Sequence, residues 1–224
     1  MNIVVCVKQI PDPAAPQSFD ASNNLDRSGK LILDEADTYG VEMALQLVDK
    51  AGGGEVTVVS MGSASDVAGI RNALAMGAAK AVIVSDEALR GSDALATLAE
   101  LLQLPSITFA KSVEIDGTTL KVERQTESGY DEVTAPLPCV VSVTAGVVEP
   151  RYASFKGIMA AKSKPLQTLS VSELGLDGQV GAAGAGQAIV EVVAAEARQS
   201  GEKFVDEGDG ADKIVAFLES IKVL

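Results

Sequence analysis

The sequence predicts an α/β fold built around a doubly wound, mainly parallel sheet. Three continuous apolar runs lie at residues 3–7, 56–59 and 81–85, and each is typical of a strand buried on both faces. Amphipathic helical patterns at residues 38–50 and 66–76 separate these runs. Because strand and helix alternate, we expect parallel strands joined by right-handed crossovers, as in Rossmann-like sheets.

The helices of this half carry start and stop signals. Ser65 or Asp66 can cap the second helix at its N-terminus, and Gly77 can end it. A third helix should begin after residues 91–93, where alanine and leucine recur at helical spacing. These signals place the helices between the predicted strands, as a doubly wound sheet requires.

From about residue 108 the pattern changes to short strands. Strands are predicted at residues 111–115, 119–125 and 130–134, with hairpin turns at residues 116–117 and 127–129. This part therefore forms an antiparallel excursion from the parallel sheet. Residues 137–144 are again apolar, and we expect them to form a buried strand.

The C-terminal part of the chain has a looser pattern. Residues 181–186 have the composition of a linker, residues 188–199 could be helical, and residues 211–221 have the pattern of an amphipathic helix. We therefore expect an α/β domain at residues 1–180 and a linker with a helical arm at residues 181–224. The last helix could pack on another subunit or on its own domain.

Composition excludes several classes of function. The 224 residues carry a net charge of −13, so nucleic-acid binding, which needs a basic face, is not expected. The amino terminus has the pattern of a strand rather than of a secretory signal, and no apolar run is long enough for a membrane span. We therefore expect a cytoplasmic protein, or one of an organelle matrix after processing.

Reactive residue types are few. Histidine is absent, which excludes histidine-based catalytic triads and histidine metal sites. Cys6 and Cys139 lie in apolar, β-prone runs, so we expect both to be buried core thiols. Catalytic residues are not expected in this chain, and a cofactor would have to carry any reaction.

Ligands of a doubly wound sheet bind at the carboxyl ends of its strands, where helix N-termini present free N–H groups. Three such junctions occur, at residues 8–12, 33–37 and 60–63. None of them is a GxGxxG or Walker motif. A nucleotide site is therefore plausible, but these motifs do not establish it.

Residues 149–165, called the 149–165 segment below, combine cationic and bulky apolar side chains. The cations are Arg151, Lys156, Lys162 and Lys164, and the bulky apolar residues are Tyr152, Phe155, Ile158 and Met159. No period of 2 or 3.6 buries these apolar residues together. Charge and pattern alone favour an ordinary surface loop with Phe155 turned inward, and the alternative is a docking surface.

Four blocks of the sequence together resemble the β subunit of electron transfer flavoprotein. They are VVCVKQIPD at residues 4–12, IRNALAMGA at residues 70–78, VER through LPCVV at residues 122–141, and the 149–165 segment. The blocks occur in the family's order and span nearly the whole chain. The resemblance implies a Rossmann-like sheet of the adenine nucleotide alpha hydrolase type.

The resemblance also implies an electron-carrier subunit rather than an enzyme. Members form a heterodimer with an α subunit that holds a redox-active FAD, and the β subunit of most members binds AMP. They accept electrons from flavin dehydrogenases such as the acyl-CoA dehydrogenases of fatty acid oxidation, and pass them to a membrane quinone oxidoreductase or another acceptor. Two alternatives are a bifurcating relative with a second FAD, and a stand-alone adenine-nucleotide-binding module.

Residue by residue, the resemblance assigns two sites. The positions that correspond to AMP contacts are Cys6, Asp34, Glu35, Ala36, Asp37 and Met61. The loop that recognises partner dehydrogenases corresponds to Arg151, Tyr152, Ala153, Ser154, Phe155, Lys156, Gly157, Ile158, Met159 and Ala160. Phe155 stands where the family usually has a leucine-like residue that enters the partner, and the arm at residues 181–224 would pack on the α subunit.

The chain departs from the family pattern in three places. Relatives carry about 35–40 more residues between Thr97 and Leu98, which would form a further strand, a phosphate-binding loop and parts of two helices. Without them we expect an unpaired sheet edge and a nucleotide site that lacks its main phosphate cradle. Either the chain is a deletion variant or its sequence omits the segment, and omission is favoured because losing a central strand should cost more than the ~5–15 kcal/mol by which a domain is stable. Gln125 and Pro13 replace a glutamate and a tyrosine of some relatives, which puts the expected contacts with the flavin domain in doubt.

Overall fold

The computed structural model describes residues 1–21, 25–89, 98–184, 190–193, 195, 201, 203 and 205–222. The chain divides into two compact units, Met1–Val190 and Glu191–Leu224, and each is described by itself. The first unit contains three sheets, two of four strands and a small antiparallel pair of short strands, and the second unit contains the last helix.

The described residues form ten strands and six α-helices. The strands are β1 (Asn2–Cys6), β2 (Gln9–Pro11), β3 (Leu31–Leu33), β4 (Glu55–Met61), β5 (Lys80–Val84), β6 (Ser106–Asp116), β7 (Thr119–Thr126), β8 (Gly129–Pro136), β9 (Val140–Val143) and β10 (Leu166–Leu169). The helices are α1 (Glu35–Lys50), α2 (Ala68–Met76), α3 (Leu98–Leu102), α4 (Phe155–Ala161), α5 (Gly181–Gly184) and α6 (Gly210–Ser220). Short 3-10 turns lie at Glu87–Leu89 and Ser172–Leu174.

A parallel sheet confirms the predicted fold class. Its strand order is β1-β4-β5-β10, and all three pairings are parallel. β1, β4 and β5 agree with the three predicted apolar runs to within two residues. Since α1 and α2 lie between these strands along the chain, the alternation of strand and helix is also as predicted.

The two ends of α2 differ in how well the sequence predicted them. The helix ends at Gly77, as predicted, and the φ of 146° at this residue is one that glycine adopts readily. Its N-cap is Val67, with no capping side chain, rather than Ser65 or Asp66. Asp66 lies one residue before the N-cap, and its Oδ1 accepts from the N–H of Ala68 at 2.9 Å, whereas the next N–H groups of the helix are satisfied from a distant strand, as described below.

The antiparallel excursion forms a second sheet, with the order β8-β7-β6-β9. Its hairpins turn at the predicted Gly117 and Gly129, both of which have positive φ. β9 runs parallel to β6 at the edge of this sheet and is only partly buried. The prediction of a buried strand at residues 137–144 is therefore wrong in its burial, and Cys139 is half-buried.

α1 packs against both sheets because it carries apolar residues on two faces. Val41 and Leu45 belong to the core of the parallel sheet, whereas Met43 and Leu47 belong to the core of the second sheet. Ile3 of β1 contacts both cores. Each of these buried side chains contributes about 1.5–3 kcal/mol relative to an exposed one, so α1 joins the two four-stranded sheets of the first unit.

β1 is more exposed than the sequence predicted. It lies at the edge of the parallel sheet, Val4 is 65% exposed, and Cys6 is exposed as well. The expectation that Cys6 is a buried core thiol is therefore wrong. An open edge at β1 agrees with the expected loss of one strand and its helix, because a sheet that lacks a strand must expose another one.

The remaining predictions of helices and of a linker can be compared with α3, α5 and α6. The helix expected after residues 91–93 falls largely outside the described residues, and only its end is present as α3. Residues 181–186, predicted as a linker, begin with the four-residue α5. Most of the helix predicted at residues 188–199 also lies outside the described residues, and residues 190–193 have no regular structure. α6 agrees with the predicted amphipathic helix to within one residue.

Candidate functional site

The nucleotide-site candidates lie at the carboxyl edge of the parallel sheet. Cys6 ends β1, and Met61 ends the neighbouring strand β4. The backbone N–H of Asp34 donates to the carbonyl of Lys8 at 2.9 Å, and the Lys8 N–H donates to Asp37 Oδ2 at 2.5 Å. These two bonds hold the start of α1 against the end of β1.

The first turn of α1 is acidic and suits hydroxyl and amino groups better than phosphate. Asp34 caps the helix, because its Oδ1 accepts from the N–H of Ala36 at 3.1 Å, and Glu35 beside it is exposed. Burial raises the pKa of Asp37 to about 6. Although Cys6 is exposed overall, neighbouring protein atoms remove part of the hydration of its sulfur, and this desolvation and the nearby Asp37 raise the pKa of the thiol, which makes it a weak nucleophile.

Gln9 satisfies the N-terminus of α2, a role that the sequence analysis missed. Its Oε1 accepts from the N–H groups of Gly69 at 2.9 Å and Ile70 at 3.4 Å, and its Nε2 donates to the Asp66 carbonyl at 2.8 Å. Gly69 is needed here because a Cβ would lie 2.6 Å from the Leu33 nitrogen. The residue type was a partial signal, since a glutamine amide can pair with helix N–H groups, but the sequence did not show which helix it would meet.

Several backbone N–H groups at this edge that could bind a phosphate already have other hydrogen-bond partners. Asp66 and Gln9 already occupy the first three N–H groups of α2. In the loop after β4, the Gly62 N–H donates to the Val84 carbonyl and the Ala64 N–H donates to Ser85 Oγ, both at 3.0 Å. In the part of the chain that the structure describes, these N–H groups are therefore not free for a phosphate.

The 149–165 segment is an extended stretch that leads into α4. Ser154 caps α4, since its Oγ accepts at 3.0 Å from the backbone N–H three residues later. Tyr152 is 95% exposed and Phe155 is 79% exposed, and Ile158 and Met159 are about half exposed. The large apolar side chains therefore face outward, and the ordinary loop with Phe155 turned inward does not form.

α4 packs closely on α2 through small residues. A Cβ on Gly157 would clash with the Ala75 carbonyl oxygen. Ala153 and Ala161 face the core of the parallel sheet. The small residues thus allow the two backbones to approach and leave the large residues of the segment on its outer side.

Two cationic side chains join α2 to α4. Lys164 donates to carbonyls at the C-terminal end of α2, and Arg71 of α2 donates to carbonyls at the C-terminal end of α4. Lys164 Nζ donates to the carbonyls of Leu74 at 2.8 Å and Ala78 at 2.7 Å, at the end of α2. In return, Arg71 Nη1 donates to the carbonyls of Ala161 at 2.7 Å and Lys164 at 2.9 Å, at the end of α4. Lys164, one of the four cations of the 149–165 segment, therefore stabilises the fold.

Arg151 lies against α1 rather than pointing away from the fold. Its Nε donates to Glu42 Oε2 at 2.6 Å and its Nη2 donates to Glu42 Oε1 at 3.0 Å. Nη2 also lies 3.6 Å from Asp49 Oδ2. Gln46 Nε2 donates to Glu42 Oε1 at 2.9 Å. The start of the 149–165 segment is thus fixed by a two-pronged ion pair.

Known proteins that are similar to this chain are electron transfer flavoprotein subunits or parts of related complexes. The family model of the electron transfer flavoprotein domain matches residues 23–98 and 90–174. The electron transfer flavoprotein subunit beta of Mycobacterium tuberculosis (strain H37Rv) is 35% identical over 264 residues, covering 100% of this chain and 99% of the relative. The same subunit of Bacillus subtilis (strain 168) is 32% identical over 211 residues, covering 79% and 82%. Subunit CarD of the caffeyl-CoA reductase-Etf complex of Acetobacterium woodii is 29% identical over 211 residues, covering 79% and 80%.

The same comparisons locate a gap in this chain. The mycobacterial alignment spans 264 positions and this chain has 224 residues, so at least 40 aligned positions lack a residue here. The family match falls into two pieces that meet at residues 90–98. The position inferred from the sequence, between Thr97 and Leu98, lies where these pieces meet.

Proposed function

This chain belongs to the electron transfer flavoprotein family, in the β-subunit group, and from that premise we propose that it is the electron-carrier β subunit of a flavoprotein heterodimer. Membership implies an α-subunit partner and an association with flavin. In the proposed complex the α subunit holds the FAD, which supplies the redox chemistry when bound. This chain supports the complex and orients it against other proteins, without catalytic residues of its own.

The outward-facing apolar surface of the 149–165 segment is the observation that carries the proposal. Tyr152 and Phe155 are almost wholly exposed on a segment that is fixed at both ends. Buried aromatic residues supply much of the energy of protein interfaces, so two exposed ones on a rigid base favour docking. Lys156 and Lys162 are exposed beside them and suit an acidic partner surface. We assign residues 151–160 as the recognition loop, with Phe155 entering a pocket of the partner.

The partners in this proposal are flavin dehydrogenases, with acyl-CoA dehydrogenases as the leading candidates. Electrons would pass to the FAD of the α subunit and then to a membrane quinone oxidoreductase or another acceptor. We place the complex in the cytoplasm. Separately, none of the helices in the described part of the chain is long and apolar enough to cross a membrane.

We further propose that an adenine nucleotide binds at the carboxyl edge of the parallel sheet. Its adenosine would lie against Cys6, residues 34–37 and Met61, with AMP as the favoured ligand. The raised pKa of Asp37 supports this assignment, because a carboxyl that titrates near neutral pH can donate or accept a hydrogen bond. A second FAD is the alternative, kept because one relative is named as a subunit of a reductase complex.

The unit Glu191–Leu224 is proposed to pack on the α subunit. Its helix α6 leaves Ile214, Val215 and Phe217 exposed, and Ile221 follows directly after it. Apolar side chains on one helix gain stability when another surface covers them. The α subunit is the partner that family membership supplies for this role.

Co-expression with the α subunit of a relative tests the proposed function. We expect a yellow heterodimer with FAD that an acyl-CoA dehydrogenase and its substrate reduce. Nucleotides released by denaturation should be FAD and AMP in equal amounts, whereas two FAD molecules per heterodimer would favour the alternative. A colourless chain that does not associate with the α subunit would contradict the proposal.

A further inference from the structure

Glu42 is a buried carboxylate in the middle of α1. It is 3% exposed, and it lies among apolar residues that pack on the two cores. A buried charge destabilises a fold unless it is paired and hydrogen-bonded. Burial raises the pKa of Glu42, but hydrogen bonds from Arg151 and Gln46 outweigh this effect, and the pKa lies below its ordinary value. The carboxylate is therefore charged and held by its neighbours.

One residue supplies most of these hydrogen bonds. Arg151 donates from Nε and Nη2 to the two oxygens of Glu42, at 2.6 and 3.0 Å, and its backbone N–H also donates to Oε2 at 3.3 Å. The two-pronged geometry fixes the angle of the guanidinium, and the third bond fixes the main chain. Both the side chain and the backbone of Arg151 are thus tied to α1.

Arg151 is the residue at which the chain enters the exposed recognition loop. Tyr152 follows it directly, and Ser154 then caps α4. At the far end of the segment, Lys164 donates to carbonyls of α2. The exposed aromatic residues therefore lie between one connection to α1 and another to α2.

We propose that Glu42 is a positioning residue for partner recognition. Through Arg151 it sets where the 149–165 segment presents Tyr152 and Phe155 to the electron-donating flavoprotein. The identity of that partner rests on the proposed function. Arg151, assigned to the partner from the family resemblance, acts in this proposal inside the subunit, since Glu42 occupies its guanidinium.

Kinetics of the heterodimer test this role. Glu42→Gln removes the charge and keeps the size of the side chain, and we expect the KM for the heterodimer as acceptor of acyl-CoA dehydrogenase electrons to rise about tenfold, because misplaced contacts weaken encounter geometry. The kcat and the FAD content should not change. Arg151→Lys should raise KM similarly, because lysine keeps the charge and loses the two-pronged geometry. The KM of the double variant should be no higher than the KM of either single variant.

Glu55→Gln is the matched control, because it breaks an exposed ion pair with Lys80 far from the 149–165 segment in sequence. Its KM should equal that of the unchanged protein. If Arg151 contacted the partner directly, Arg151→Lys would raise KM and Glu42→Gln would leave it unchanged, and this result would overturn the proposal. A purely structural role would lower the melting temperature of Glu42→Gln without changing KM below that temperature, which would overturn it too.

Hydrogen exchange tests the same role without any partner. In the heterodimer, Glu42→Gln should speed exchange of the α4 amides about tenfold relative to the Glu55→Gln control, because the segment loses its connection to α1. Unchanged exchange would overturn the proposal, and Arg151→Lys serves as the second variant where Glu42→Gln does not fold. If Phe155→Ala leaves KM unchanged while Glu42→Gln speeds exchange, the recognition function fails and the positioning of the segment by Glu42 stands.

Discussion

The Asp37 carboxyl accepts the backbone N–H of Lys8, and burial raises its pKa from 3.8 to about 6. Between these two pH values the unfolded chain releases this proton while the folded chain retains it. Stability from this group is therefore greatest at acidic pH and falls as the pH rises to about 6. At neutral pH the ionised carboxylate destabilises the fold.

Replacing Asp37 with asparagine should remove this penalty and keep an acceptor for the Lys8 N–H. We expect Asp37→Asn to raise the free energy of unfolding by about 1–2 kcal/mol at pH 7.5, a value reduced for partial exposure, with little effect near pH 4. Asp86→Asn is a control with the opposite sign. N–H groups of Ala88 and Val171 lower the pKa of Asp86, so this change should lower the free energy of unfolding at pH 7.5. Urea unfolding at the two pH values measures both, and a gain for Asp37→Asn that does not depend on pH would contradict the account.

Single residues mark the limit of what the sequence predicts. Residue types alone favoured a loop with Phe155 turned inward, the family resemblance favoured a docking surface, and Phe155 and its neighbours lie exposed. The contacts of Arg151 with Glu42 and of Gln9 with α2 were not predictable, because their partners are 109 and 60 residues away in the chain. Side-chain type does not show which distant group it will meet.

Lys164 donates to carbonyls at the end of α2 and Arg71 donates to carbonyls at the end of α4, and these bonds hold the two helices together. Lys164→Met should leave the carbonyls of Leu74 and Ala78 without their donor and lower the free energy of unfolding by about 1–3 kcal/mol. Lys162→Met is the matched control, because Lys162 is exposed and lies only two residues before Lys164, and it should change stability by less than about 0.5 kcal/mol. Urea unfolding of the two variants measures the difference, and equal losses would count against the pairing of the helices.

Elements with strong local patterns were predicted well. α1, α2 and the β6-β7-β8 hairpins follow from apolar periodicity and from glycines at turns, both of which are local properties. The exposure of β1 and β9 was not predicted, because an apolar run shows that a strand is suitable for burial and does not show what covers it. Edge position depends on the whole sheet.

At the scale of the molecule, the open edge at β1 and the gap near Thr97 have one explanation. Inserting the additional residues of the Mycobacterium tuberculosis relative between Thr97 and Leu98 should supply a strand for this edge and a loop for phosphate. We expect the melting temperature to rise by about 5 °C or more, slower hydrogen exchange in β1, and tighter AMP binding. An insertion of the same length in a glycine and serine linker is the control, and an equal response to both would exclude this explanation.

The fold class and the family follow from features that span the chain. Alternation of strand and helix predicts a parallel sheet, and blocks of residues in a fixed order predict the family. Both predictions were therefore possible although the chain lacks the segment near Thr97. The partition of the strands into separate sheets depends on strand pairing over long sequence distances, as between β6 and β9 or β5 and β10. Local patterns do not specify those pairings.

Electron acceptance by the Phe155→Ala heterodimer tests the central claim most directly. Truncating an exposed aromatic residue that enters a partner should raise the KM for the heterodimer, with acyl-CoA dehydrogenase as donor, by about 10–100-fold. Assembly with the α subunit and FAD content should be unchanged, and Phe19→Ala, which alters another exposed phenylalanine, should leave KM unchanged. An unchanged KM in Phe155→Ala, or a loss of FAD in proportion to the loss of activity, would contradict a recognition role for the 149–165 segment.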